Sequence, residues 1–134
     1  MGITVGFTCS CFDLLHAGHI LMLKDAKSQC DKLIVGLQTD PTLDRPEKNK
    51  PIQTLKERKI QLEAVKYVDD IFVYDTEEEL YHLLKLINPD IRILGSDYED
   101  GRYYTGQELN IPIYFHKRNH NYSSTNLRKK ACLK

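Results

Sequence analysis

The chain has no net charge: over 134 residues, 19 lysines and arginines balance 19 aspartates and glutamates. That balance argues against bulk polyanion binding, and the lack of a basic stripe or aromatic platform removes support for a nucleic-acid role. A long apolar run is missing too. No stretch approaches the ~18 apolar residues of a membrane span, and Met1 to Thr8 reads as a short strand rather than a secretory leader. The cysteines, Cys9, Cys11, Cys30 and Cys132, lack the spacing of a disulfide framework, so reduced thiols in a cytoplasmic protein are the simpler reading. Internal repeats and low-complexity tracts are absent. What remains is one globular domain, residues 1–134, able to bury roughly two-thirds of its unfolded surface without covalent staples.

What is present is an alternation of apolar and amphipathic runs. Ile3 to Phe7 reads as a buried strand, His19 to Cys30 as a helix with Ile20, Leu21, Leu23 and Ala26 at helical intervals, and Lys32 to Leu37 as a second buried strand. Gln53 to Tyr67 predicts a second helix, Ile71 to Tyr74 a third strand, and Glu77 to Ile87 a third helix stopped by Asn88-Pro89. Ile91 to Leu94 and Ile111 to Phe115 complete the strands, and Ser123 to Lys130 is a closing helix with a serine cap. Strands separated by helices imply a parallel sheet with right-handed crossovers. The expected fold class is α/β, a three-layer, Rossmann-like, doubly wound parallel sheet.

In such folds ligands bind outside the carboxyl ends of the strands. Two stretches fall there. Thr39 to Pro51 (TDPTLDRPEKNKP) leaves the second strand and reads as a mobile lid carrying Lys48 and Lys50 over a bound anion. The segment CFDLLHAGHI, residues 11–20, leaves the first strand and sets His16 and His19 at the first turn of the following helix. Free backbone N–H groups and the positive end of the helix dipole favour a phosphate there, and two imidazoles at i and i+3 share one face of the turn. Gly18 lets the chain come close to the ligand. Cys9, Cys11, His16 and His19 are ligand types suited to zinc, but a Cys-x-Cys pair at a strand exit does not match the usual chelate spacing, so no metal site is expected.

These residues resemble a family. CFDLLHAGH is similar to the F-D-x-x-H-x-G-H signature of the small nucleotidyltransferases, the group of glycerol-3-phosphate cytidylyltransferase, the choline- and ethanolamine-phosphate cytidylyltransferases and the heptose-phosphate adenylyltransferases. Other stretches follow in family order: the lysine-bearing loop and "ER" at 48–58, AVKYVDDIFVY at 64–74, GSDY at 95–98, and RNHNYSST at 118–125, similar to a second signature R-x-x-x-x-S-[ST]-T. The resemblance implies attack by a phosphate monoester on the α-phosphate of a nucleoside triphosphate, with Mg²⁺ bound to the nucleotide and pyrophosphate leaving. His16 and His19 would stabilise the transition state. Lys48 and Lys50 would meet the acceptor phosphate and the α-phosphate, Arg58 would add positive charge, and Arg118 with Ser123, Ser124 and Thr125 would hold the β- and γ-phosphates. The loop Thr8, Cys9, Ser10, Cys11, Phe12 and Asp13, with Gly18, would border the nucleotide. Asp13 is expected to be structural, and Asp97 to touch nucleotide or acceptor. A homodimer is implied by the same resemblance.

The chain also departs from the family pattern. Ser10-Cys11 replaces Gly-Thr or Gly-Cys, and His120-Asn121 replaces Glu-Gly. GSDY, SSTN and HAGH look like the heptose-phosphate adenylyltransferase branch. The Arg118 signature and the lysine-rich loop look like the glycerol-phosphate branch, and on them CTP and glycerol 3-phosphate are the expected substrates. The alternatives are ATP with a sugar phosphate, and a non-catalytic nucleotide-binding module. SDYEDGRYYTGQ, residues 96–107, supplies Tyr98, Arg102, Tyr103 and Tyr104 as candidates for an acceptor pocket.

Overall fold

A computed structural model describes residues 2–132, except for the side chain of Ser124. Five parallel strands, β1 (Val5–Ser10), β2 (Lys32–Gln38), β3 (Asp70–Tyr74), β4 (Ile91–Gly95) and β5 (Ile113–His116), form one sheet in the order β3-β2-β1-β4-β5. Between them run α1 (Ala17–Ser28), α2 (Leu55–Glu63) and α3 (Glu77–Ile87), and α4 (Ser124–Cys132) follows β5. The fold is the expected doubly wound α/β sheet. Chain direction across the sheet reverses at β1, whose neighbours are β2 and β4, and a ligand crevice opens at such a switch point.

Alternation along the strands sorts the core into two layers. Leu33, Val35 and Leu37 of β2 and Ile93 of β4 pack with Leu23 and Ala26 of α1 and Leu62 of α2. Phe7, Ile34 and Tyr74 point the other way and pack with Leu80 and Leu84 of α3. The apolar stripe of α3, Leu80 and Leu84, turns toward that face of the sheet, and the hand of the crossover from β3 to β4 sets which face it covers. Capping residues set the ends: Thr54 and Thr76 form capping boxes with Glu57 and Glu79, and Asn88 closes α3 in the left-handed conformation at φ 47°. Ser123 Oγ accepts from Asn126 N at 3.0 Å, the expected serine cap of α4.

Boundaries differ from the sequence reading in two places that matter. β1 continues to Ser10, past the expected end near Phe7, because Thr8, Cys9 and Ser10 pair with Val35, Gly36 and Leu37. α2 covers Leu55–Glu63 rather than 53–67, since the 3-4 turn bonds of Ala64 and Val65 end it. Arg58 is the larger correction. It was expected to offer charge to the triphosphate, yet it is 3% exposed and donates to four backbone carbonyls: Gln53 at 3.2 Å, Cys11 at 3.0 Å, Gln38 at 2.6 Å and Thr39 at 2.7 Å. It pins the ends of β1 and β2 to α2. Arg58→Met leaves these carbonyls without their donor and is expected to cost about 3 kcal/mol or more, read as a lower midpoint in urea unfolding.

Candidate active site

A cleft of about 920 Å³ runs across the carboxyl edge of the sheet. Of the residues expected there, Thr8, Cys9, Ser10, Cys11, His16, Gly18, His19, Lys48, Asp97, Arg118 and Ser123 line it. The wall does not include Lys50, Phe12, Asp13 or Thr125, and the side chain of Ser124 lies outside the described part. Phe12 is 1% exposed and belongs to the core. Asp13 is 3% exposed and accepts from Ile52 N and Gln53 N, each at 2.9 Å, and from Arg128 Nη2 at 2.6 Å. Burial alone would raise its pKa, but these donors outweigh it and hold the carboxyl below its ordinary range. These contacts give Asp13 a structural part, and it does not border the cleft where it was also expected.

The histidines are fixed by the helix they begin. His16 is the N-cap of α1, and its Nδ1 accepts from Gly18 N at 3.0 Å while His19 Nδ1 accepts from His16 N at 3.1 Å. A ring whose Nδ1 accepts a backbone hydrogen bond carries its proton on Nε2. Both rings thus keep an Nε2–H donor for the cleft. They stack with centroids 3.8 Å apart. Burial, then the neighbouring His16 and Arg118, push His19 down to about 4, and burial with Arg118 and His120 lowers His16. At neutral pH the pair acts as neutral hydrogen-bond donors, and the positive potential beside the rings comes from the helix N-terminus and Arg118.

Gly18 is required by the imidazoles around it. A Cβ there would lie 2.8 Å from His120 Cε1 and 2.8 Å from His16 Cε1. His120, with no assigned part in the sequence reading, therefore leans onto the start of α1. Its Nδ1 accepts from Tyr122 N at 3.1 Å and its ring stacks on Tyr122, so a third Nε2–H borders the same cleft. Arg118, whose charge acts on His16, His19 and His120, is held by a hydrogen bond to the Tyr122 carbonyl.

Of the 96–107 segment, Tyr98, Tyr103, Tyr104 and Thr105 line the cleft, whereas Arg102 pairs with Asp100 at 2.9 Å on the surface. Sequence reasoning missed Gln38, Arg45, Tyr74, Glu77, Arg92 and His116, all on the wall. Arg92 left a readable sign, a cation inside the apolar run Ile91 to Leu94. Among the described residues, the buried side-chain polar atoms without a hydrogen-bond partner are Gln38 Nε2, Arg45 Nε, Arg92 Nε and His116 Nε2. All four residues line this cleft. Buried polar groups are normally satisfied. Three of these nitrogens, on Gln38, Arg45 and Arg92, are donors and call for acceptor oxygens, whereas His116 has its Nδ1 on the Asp25 carboxylate at 2.7 Å, which leaves Nε2 of the neutral ring an acceptor.

The cytidylyltransferase-like family model matches residues 7–130. The chain belongs to the cytidylyltransferase-like family. It is 41% identical over 98 residues to the Bifunctional protein HldE of Caulobacter vibrioides, a match covering 72% of this chain and 20% of that protein. The HldE of Wolinella succinogenes is 40% identical over 109 residues, 81% of this chain and 23% of that protein. The match thus spans about a fifth of the length of these curated relatives. Among solved structures, a lipopolysaccharide core biosynthesis protein from Thermoplasma volcanium aligns with TM-score 0.69 and 25% identity over 91% of this chain and all of that one. Pantothenate synthetase from Thermus thermophilus shares the fold, with TM-score 0.60 and 17% identity over 96% of this chain and 64% of that one.

Two outcomes follow from the imidazole geometry. Between pH 6.5 and 4 the unfolded state binds the His19 proton that the folded state refuses, so stability present above 6.5 is lost as pH falls toward 4. The urea midpoint is expected to fall over that window, with the His19 ring titrating near 4 by NMR. Gly18→Ala forces His16 and His120 apart and is expected to weaken nucleoside triphosphate binding by about tenfold or more, the scale of losing one charge-assisted bond, read by calorimetry.

Proposed function

We propose that this domain transfers a nucleotidyl group from a nucleoside triphosphate to a phosphorylated sugar, with ATP as donor, and releases pyrophosphate. The observation that carries the reading is the pair of neutral imidazoles, each with Nε2–H free, at the helix start of a cleft that Arg118 and Ser123 also line. The HldE relatives, with GSDY, SSTN and HAGH, favour the sugar-phosphate adenylyltransferase branch over CTP and glycerol 3-phosphate. That second reading keeps the support of the Arg118 signature and the lysine-bearing loop.

In the reaction, an acceptor phosphate oxygen forms a bond to the α-phosphorus while the bond from that phosphorus to the bridging oxygen breaks. Pyrophosphate leaves with the electron pair. No side-chain nucleophile or proton acceptor is needed, and the requirement is to stabilise charge on the equatorial oxygens. His16 and His19 donate to those oxygens, the N-terminus of α1 adds its dipole, and Arg118, Ser123 and the α4 start hold the departing phosphates. Lys48 from the 39–51 loop faces the acceptor side. Among the described residues no three His, Cys, Asp or Glu side chains converge on an ion. Mg²⁺ would enter with the nucleoside triphosphate, as part of that substrate. Pairing of two copies near the first signature belongs to the same reading.

The test is Mg²⁺-dependent pyrophosphate release with ATP or CTP against heptose 1-phosphate, other sugar phosphates, glycerol 3-phosphate, phosphocholine and phosphoethanolamine. Turnover confined to ATP and a sugar phosphate is expected; turnover confined to CTP and a polyol phosphate establishes the second reading. Tight nucleotide binding with silence across the panel would mean a non-catalytic module. His16→Ala or His19→Ala is expected to lower turnover by about a hundredfold or more with the circular dichroism spectrum unchanged, and near-normal turnover in either contradicts the assignment.

A further inference from the structure

The unmatched nitrogens are not spread evenly over the cleft. Phe7, Ile34 and Tyr74 face α3, and strand alternation together with the pairing of Phe7 with Arg92 puts Cys9, Gln38 and Arg92 on that face as well. α1, which carries the imidazoles, covers the opposite face. Arg45 reaches the α3 side through its loop, where Asp44 Oδ2 accepts from Glu77 N at 2.5 Å. Three of the four unpartnered nitrogens, Gln38 Nε2, Arg45 Nε and Arg92 Nε, thus belong to the α3 half of the cleft.

Arg92 anchors this half. It is 3% exposed, its guanidinium donates to the Thr105 carbonyl and lies 5.2 Å from the centroid of the Tyr104 ring. Beneath it, Tyr74 lies across Gly36, where a Cβ would come 3.1 Å from Tyr74 Cε1, and Tyr74 and Arg92 both act on the Cys9 thiol. Among the described residues no carboxylate stands within ion-pairing distance of Arg92. Glu77 and Glu78 line the same half, but Glu78 is exposed and screened by solvent, and Glu77 accepts from Thr105 Oγ1 at 3.4 Å. A buried cation without a paired anion costs several kcal/mol.

Resting on the reading above, we infer that Gln38, Arg45 and Arg92 form a second oxyanion site, which binds a carboxylate or second phosphate at the far end of the acceptor. The acceptor lies across the sheet edge, its reacting phosphate toward the imidazoles and its other anionic group toward α3. A neutral hydroxyl has too few lone pairs for three donors, whereas an oxyanion can accept from all three and sits directly against a guanidinium that Glu77 reaches only at longer range.

Pairs of probes that differ only in this group test it: glucuronic acid 1-phosphate against glucose 1-phosphate, and 3-phosphoglycerate against glycerol 3-phosphate, titrated into the full chain by calorimetry. At least one acid is expected to bind about tenfold or more tightly than its alcohol, a preference lost in Arg92→Met. That variant is expected to keep nucleotide affinity and a cooperative unfolding transition, the buried charge it removes offsetting the donor lost to the Thr105 carbonyl. Equal affinity within both pairs, failure of both acids to bind, or a preference surviving in Arg92→Met overturns the inference, as does a variant that unfolds. Arg45→Met, at a partly exposed position, is expected to weaken the same preference without loss of fold. If no phosphorylated sugar is turned over, the proposed function falls while the acid-against-alcohol comparison still decides the second site.

Discussion

The buried carboxylate of Asp13 is the constraint from which the site is assembled. Its two oxygens take Ile52 N, Gln53 N and Arg128 Nη2, so one side chain joins the loop after β1, the segment entering α2, and α4. That loop holds Phe12 at φ 48° and Leu14 at φ 50°, conformations that cost a non-glycine residue of order 1 kcal/mol or more each. The surroundings hold them in place: Phe12 is packed into the core, and Leu14 N donates to Gln53 Oε1 at 2.8 Å. A chain turned this way twice in three residues delivers His16 to the helix N-cap. Arg58 adds a second tie between the same loop and β2. The imidazoles are thus aimed by groups that never touch the ligand.

Neutral imidazoles suit a site of this charge. Protonated rings at this spacing would repel each other and would lose the Nδ1 lone pairs that cap α1. Keeping both rings neutral preserves the helix start and still presents two N–H groups, whose worth rises in a partly enclosed, low-dielectric cleft. The balance of 19 positive and 19 negative side chains is consistent with this economy. Under the proposed reading, recognition of a highly charged substrate would rest on fixed dipoles and a few local cations rather than on the net charge of the chain.

Much of the fold could be read from the sequence because parallel strands and α3 leave strong local patterns. KLIVGL and IRIL are short runs buried on both faces, and Asn88-Pro89 stops α3 where expected. The end of β1 was misread because Thr8, Cys9 and Ser10 are polar, and only their pairing with β2 makes them strand. The histidines were legible because a two-histidine cluster at a strand's carboxyl end has few other uses. Arg58 was not, since its acceptors are carbonyls up to 47 residues away, and a surface cation looks the same in sequence. Gln38, Arg45 and His116 sit singly at strand ends and in a loop, and only tertiary packing shows that their nitrogens are buried and unmatched.

Those nitrogens also bear on stability. Each buried donor without a partner costs about 1–3 kcal/mol, a large share of the 5–15 kcal/mol that holds a typical domain together. Evenly scattered, such groups would be defects. Here they all fall on one cleft, while the two core layers on either side are apolar and the helix starts are capped. The cost is borne where a ligand can return it, and a ligand that binds only the folded state stabilises it in proportion to its occupancy. Fold and site are therefore coupled in one direction: packing around Asp13 and the sheet holds these nitrogens unmatched, and in the proposed function an oxygen-rich substrate would complete what packing leaves open.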